Sequence, residues 1–129
     1  MSIQVQWFDE GQTIVRIDIT DQYTINELHQ AWATEREMMY SVSYAVYSLN
    51  VFQTFYIPHK EFKPTAERDY VSKRIPPNLQ LTVQVAPNAM MRGILRTVAS
   101  IMPHQVYVVP TVEEGLRLIN SHKQGILES

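Results

Sequence analysis

The chain has 129 residues, a formal net charge of −2 and no cysteine. That length supports one domain whose core needs no staples, and the absence of thiols excludes a disulfide framework, a thiolate metal site and a cysteine nucleophile. The slightly acidic balance argues against a general nucleic-acid footprint, and no apolar run reaches the roughly 18–20 residues that cross a bilayer.

Ile3, Val5 and Trp7 alternate with Gln4 and Gln6, the period of a half-buried strand. Asp9-Glu10-Gly11-Gln12 reads as a turn with Gly11 available for positive φ. Residues 13–19 are rich in β-branched side chains and complete an N-terminal hairpin. Thr24-Ile25-Asn26-Glu27 is a capping box. The helix behind it sets Leu28, Ala31 and Trp32 on one stripe, with Met38 or Met39 further on, and runs to about Tyr40. Residues 44–52 form a strand, with Ala45, Tyr47, Leu49 and Val51 on one face and Val46, Ser48 and Asn50 on the other.

After Tyr56-Ile57-Pro58 a second helix begins between Phe62 and Pro64, because proline is tolerated in the first helical turn. Its stripe of Ala66, Tyr70 and Lys73 is a poor one, and Pro76-Pro77 ends it. Residues 79–85 alternate as a strand. Asn88 then caps a helix with Met91, Ile94, Leu95, Val98 and Met102 at helical spacing, ending before Pro103. A strand at 106–109 leads to a second capping box, Thr111-Val112-Glu113-Glu114, and a last helix buried through Val112, Leu116 and Ile119. The tail from Lys123 is expected to fray.

The order is ββαβαβαβα: a single α/β domain over residues 1–129, with a four- to five-stranded, mainly parallel sheet. The last four strands should be mutually parallel through right-handed crossovers, and the first antiparallel at an edge. Arg16 and Asp18, Ser48 and Asn50, and Gln80, Thr82 and Gln84 place polar residues inside strands. A parallel strand covered on both sides should read as a continuous apolar run. Two readings stand: a sheet face that is partly solvated or forms an interface, or edge positions and buried polar groups with satisfied hydrogen bonds.

Four segments carry a family resemblance. They are Trp7-Phe8-Asp9-Glu10 leading into Thr13-Ile14-Val15, then Ile75-Pro76-Pro77-Asn78-Leu79, Asn88-Ala89-Met90-Met91-Arg92-Gly93-Ile94-Leu95, and Val109-Pro110-Thr111-Val112-Glu113-Glu114-Gly115. With the order of elements, they make the chain resemble the STAS domain, the fold of bacterial anti-sigma factor antagonists (the SpoIIAA-like proteins), and in particular short stand-alone members. The resemblance implies a cytoplasmic bacterial signalling module that binds a partner kinase and is switched by phosphorylation of a Ser or Thr after the central strand. Here the pattern departs. Asn50 stands where the family has an acidic residue, and Thr54 is the only Ser or Thr in the following loop, which leaves Thr54 a weak phosphoacceptor.

The remaining chemistry is sparse. His29, His59, His104 and His122 have neither i,i+4 pairing nor acidic neighbours at ligand spacing. His29 and His122 read as surface residues. Asp9 and Glu10 read as a solvated turn. Lys60, Lys63, Arg68, Lys73 and Arg74 are diluted by Glu61, Glu67 and Asp69 into a mixed solvated face. The chain has no nucleophile elbow, P-loop or dinucleotide fingerprint, so neither catalytic residues nor a cofactor is expected, and the N-terminus lacks the marks of a signal peptide. The expected function is non-enzymatic. A protein partner, or a second copy of the chain, would dock on the loop after the central strand through Phe55, Tyr56, His59 and Lys60. The alternative is a carrier of a small apolar ligand or lipid, which needs an internal pocket of roughly 300 Å³ or more. An enzyme comes third, with a cleft around His59 and Asp69.

Overall fold

A computed structural model describes residues 2–54, 56–58 and 60–125. Its elements are β1 (Ile3–Trp7), β2 (Ile14–Ile19), α1 (Ile25–Tyr40), β3 (Val46–Phe52), α2 (Pro64–Ser72), β4 (Leu79–Val85), α3 (Ala89–Ala99), β5 (Val106–Val109) and α4 (Val112–Lys123). The sheet has five strands in the order β1-β2-β3-β4-β5. β1 is antiparallel to β2, and each following pair is parallel. The expected α/β order and strand directions are those observed.

Local chemistry sets most boundaries. In the hairpin turn Asp9 Oδ1 accepts from the backbone N–H of Thr13 and Ile14, and its Oδ2 accepts from the Thr13 hydroxyl. Asp9 is thus a structural cap and not a free turn carboxylate. Burial alone would raise its pKa, but those bonds and the Lys123 charge hold it below the ordinary value. The left-handed residue of the turn is Gln12, at φ 55°, and not Gly11. The Thr24 capping box is formed in both directions, Glu27 N–H to Thr24 Oγ1 at 3.0 Å and Thr24 N–H to Glu27 Oε1 at 3.1 Å. Asn88 and Thr111 cap α3 and α4 through the N–H of Met91 and Glu114. β3 begins at Val46, so Tyr44 and Ala45 precede it and lie exposed. Asn78 closes the entry to β3: its Nδ2 donates to the carbonyls of Met39, Val42 and Tyr44 at 2.9–3.2 Å. Lys123 ends α4 and donates to Thr13 Oγ1 at 2.7 Å, so it is anchored and not frayed. Residues 126–129 of the expected fraying tail lie outside the described residues.

Strands added in sequence order through crossovers of one hand put their connecting helices on one face. Residues of α1, α2 and α3 accordingly line a common space over β3 and β4. Only α4 packs on the opposite face. There Ile119, Leu116 and Val112 meet Leu49, Val51, Leu81, Val83, Val85 and Val109, and the buried members are at most 8% exposed. The approach is close at Gly115, where a Cβ would lie 3.1 Å from Val83 Cγ1 and 3.2 Å from Leu49 Cδ1. A second core, built from Ile3, Ile17, Ile19, Phe52, Met91 and Leu95, ties β1 and β2 to α1 and α3.

Candidate functional site

Alternation along β3 and β4 sends Leu49, Val51, Leu81, Val83 and Val85 to α4 and their neighbours the other way. Those neighbours are Ser48, Asn50, Thr82 and Gln84, and they form the polar floor of a cavity of about 290 Å³ beneath α1, α2 and α3. The walls are mostly apolar, among them Leu28, Trp32, Ile57, Phe62, Leu95 and Val98. The space exists because its roof is short. α2 has only 9 residues and buries only Glu67. The expected stripe of Ala66, Tyr70 and Lys73 is corrected here: Ala66 and Lys73 are exposed, and Tyr70, Val71 and Arg74 turn to the cavity.

The floor is ordered by hydrogen bonds. Asn50 Nδ2 donates to Ser48 Oγ at 3.3 Å, and the Ser48 hydroxyl donates to Glu35 Oε2 at 2.5 Å. Glu35 is 8% exposed. Burial pushes its pKa up to about 7, against the Ser48 hydrogen bond and the nearby Arg36 charge, which pull the other way. Near neutrality Glu35 can therefore accept a proton or donate one. Thr82 Oγ1 and His104 Nε2 are 3.2 Å apart, and burial pushes the His104 pKa down, which keeps the ring neutral. Gln84 Oε1 and His104 Nδ1 are buried without a hydrogen-bond partner. Two such orphans in one site make its floor unusually polar for a protein interior. Tyr23 closes the far wall, its ring edge-on to Tyr56 at 5.8 Å. Burial, with a smaller contribution from Tyr56, pushes its phenol up to about 12.

The roof is latched to α1. His29 stacks on Tyr70 with ring centroids 3.8 Å apart and on Trp32 at 5.6 Å. His29 Nε2 lies 2.8 Å from Glu67 Oε2. Arg74 covers the other side of Tyr70 at 3.9 Å and donates to its carbonyl. His29 is thus a packed bridge and not a surface residue. His122 also has a partner, the Tyr47 hydroxyl at 2.8 Å from Nδ1. Among the described residues no three His, Asp or Glu side chains are placed to hold a metal ion, and no helix is long and apolar enough to cross a membrane.

Two of the four residues expected to form a docking surface are described, Tyr56 and Lys60. Phe55 and His59 lie outside the described residues. Tyr56 is half-buried and packs toward the core containing Tyr23. Lys60 is exposed, and it shares a hollow of about 240 Å³ with Tyr56, Pro58 and Glu61. Thr54 is half-buried, and its hydroxyl accepts from the Tyr56 N–H at 3.2 Å. Glu35, His29 and His104 are the residues of the site that pattern reading misses. Glu35 does stand at helical spacing between Ala31 and Met39, the buried line of α1. No known protein family, curated protein or solved structure matches the chain.

Proposed function

We propose that the protein is a carrier or sensor of a small, predominantly apolar ligand, held in the cavity beneath α1, α2 and α3. One observation supports this reading above others. The two strands β3 and β4 turn Leu49, Val51, Leu81, Val83 and Val85 to α4, while Ser48, Asn50, Thr82 and Gln84 turn to open space. A cavity left by imperfect packing would be lined by the same apolar residues as the rest of the core. A binding site has apolar walls and a few placed polar groups. The volume of about 290 Å³ lies at the lower edge of ordinary ligand pockets. It is also about twice the roughly 150 Å³ cavity that holds one benzene. It suits a single short hydrocarbon chain or a two-ring molecule.

The test is calorimetric titration with 1-decanol, alongside the Val98→Trp variant, whose indole enters the cavity and obstructs it. Saturable binding to the wild type, lost in the variant, is the expected result. A wild type that takes up neither decanol nor any other single-chain amphiphile of that length would refute the carrier reading.

A protein-interaction module of STAS-like type is the second reading. It is supported by the sequence resemblance and by large apolar side chains that stand in solvent, Tyr40 at 61% and Met90 at 77% exposed.

A further inference from the structure

The charged side chains that line the cavity, Glu35, Arg36 and Arg74, gather toward one end of it. β3 and β4 run parallel, so Ser48 and Thr82 lie toward their N-terminal ends and Phe52 and Gln84 toward their C-terminal ends. α1 returns in the opposite sense. Its first turns bring Ile25 and Leu28 to the Phe52 end, and its later turns bring Glu35 and Arg36 to the Ser48 end. The chain leaving α2 carries Arg74, Ile75 and Pro76 back to the start of β4, and His104 arrives beside Thr82. One end therefore collects Glu35, Arg36, Ser48, Arg74, Thr82 and His104. The other is walled by Tyr23, Leu28, Phe52, Ile57, Phe62 and Leu95.

The charges at the polar end have one sign in excess. Arg36 lies close enough to Glu35, whose carboxyl titrates near 7, to act on it, and the exposed Arg74 and a neutral His104 line the same end. Neither guanidinium belongs to an ion pair: the pairs among the described residues are Arg16–Asp18 and His29–Glu67. Arg74 is held in place by Tyr70 while only its Nη1 is used, on the Tyr70 carbonyl. A preset guanidinium with free N–H groups beside an apolar chamber is matched by a carboxylate, which takes paired charge-assisted hydrogen bonds. A cationic amphiphile would meet two like charges, and a two-chain lipid would exceed the volume.

We infer that the ligand is a single-chain or aromatic monocarboxylic acid, its carboxylate at the Arg36–Arg74 end and its hydrocarbon body among Tyr23, Leu28, Phe52 and Leu95. The inference rests on the cavity being a ligand site. A protonated Glu35 supplies a further donor to the acid.

The test compares decanoate, 1-decanol and decylamine by calorimetry on the whole chain, at a pH below the Glu35 value of about 7, with wild type and the Arg36→Gln/Arg74→Gln double variant. Decanoate should bind the wild type about tenfold or more tightly than decanol, the scale of one charge-assisted bond. The double variant should lose about tenfold more decanoate affinity than decanol affinity. Arg36→Lys, which keeps the charge, should retain part of the preference and serves if the double variant unfolds. Decanol binding as tightly as decanoate, tightest binding by decylamine, or equal losses for acid and alcohol would each overturn the acid assignment while leaving the carrier reading in place. Failure of all three to bind would overturn both.

Discussion

The two faces of the sheet share the same strands and are built to opposite ends. Toward α4, Leu49, Val51, Leu81, Val83 and Val85 are at most 5% exposed, and Gly115 lets the helix backbone approach to van der Waals distance. Toward α1, α2 and α3 the intervening residues are Ser48, Asn50, Thr82 and Gln84, over which a cavity of about 290 Å³ stays open. The difference is one of division of labour. The α4 face supplies cohesion through buried apolar area, and it allows the other face to carry buried polar groups that cost stability.

Adjacent positions on β3 give the sharpest way to break this contrast. Leu49→Ala should cost about 2–5 kcal/mol, because it removes a fully buried side chain from a close-packed core. Ser48→Ala, on the other face, should cost less, about 1–2 kcal/mol, because it removes two hydrogen bonds, to Glu35 and from Asn50. Equal losses in urea denaturation would show that the faces do not differ. Bulk gives the next largest effect. Gly115→Val drives methyl groups toward Val83 and Leu49 and should cost about 1–3 kcal/mol. Val98→Trp adds more volume on the cavity side yet should be neutral or stabilise by about 1 kcal/mol. Thermal unfolding of the pair checks the order.

The dependence on pH sharpens the contrast further. The Glu35 pKa is raised from 4.5 to about 7 by folding. The native state therefore holds a proton that the unfolded chain has released. Its contribution is fully present below 4.5 and is lost as pH rises to about 7, on the order of 1–3 kcal/mol. His104, lowered from 6.5, acts in the opposite sense and loses stability as pH falls. The difference between wild type and Glu35→Gln isolates the carboxyl: the variant should lack the decline between 4.5 and 7. Parallel stability curves would contradict the burial of an ionisable Glu35. The smallest global effect belongs to the roof. His29→Ala removes the stack and the Glu67 contact, and should cost about 1 kcal/mol. Faster amide exchange confined to α2 is the signature to look for.

Much of the frame was legible because it is written in local chemistry. The Thr24–Glu27 box and the alternation of 3–7 and 79–85 place α1, β1 and β4 without tertiary information. The polar residues inside β3 and β4 were equally plain, but their cause was not. A partly solvated face, an interface and a floored cavity all leave the same alternation, and only the shortness of α2 decides among them. Arg16 and Asp18 do match the first alternative: they form a partly exposed ion pair, 24% and 14% accessible, on the same sheet face as Leu49 and Val51. Glu35 stayed hidden because a charged residue on a core stripe reads as an interruption, although Leu28, Ala31, Glu35 and Met39 keep helical spacing. His29 stayed hidden because its partners Glu67 and Tyr70 are separated from it by the whole of β3. Tyr44 and Ala45 extended the β3 pattern in sequence, but Asn78 pins the Tyr44 carbonyl as part of the preceding turn.

Methyl-resolved NMR during titration with 1-decanol tests the division between the two faces most directly. Shifts should concentrate at Leu28, Ile57, Ile94, Leu95 and Val98 around the cavity, leaving Leu49, Val83 and Ile119 under α4 in place. Shifts spread evenly over both sets, or confined to the α4 side, would contradict it.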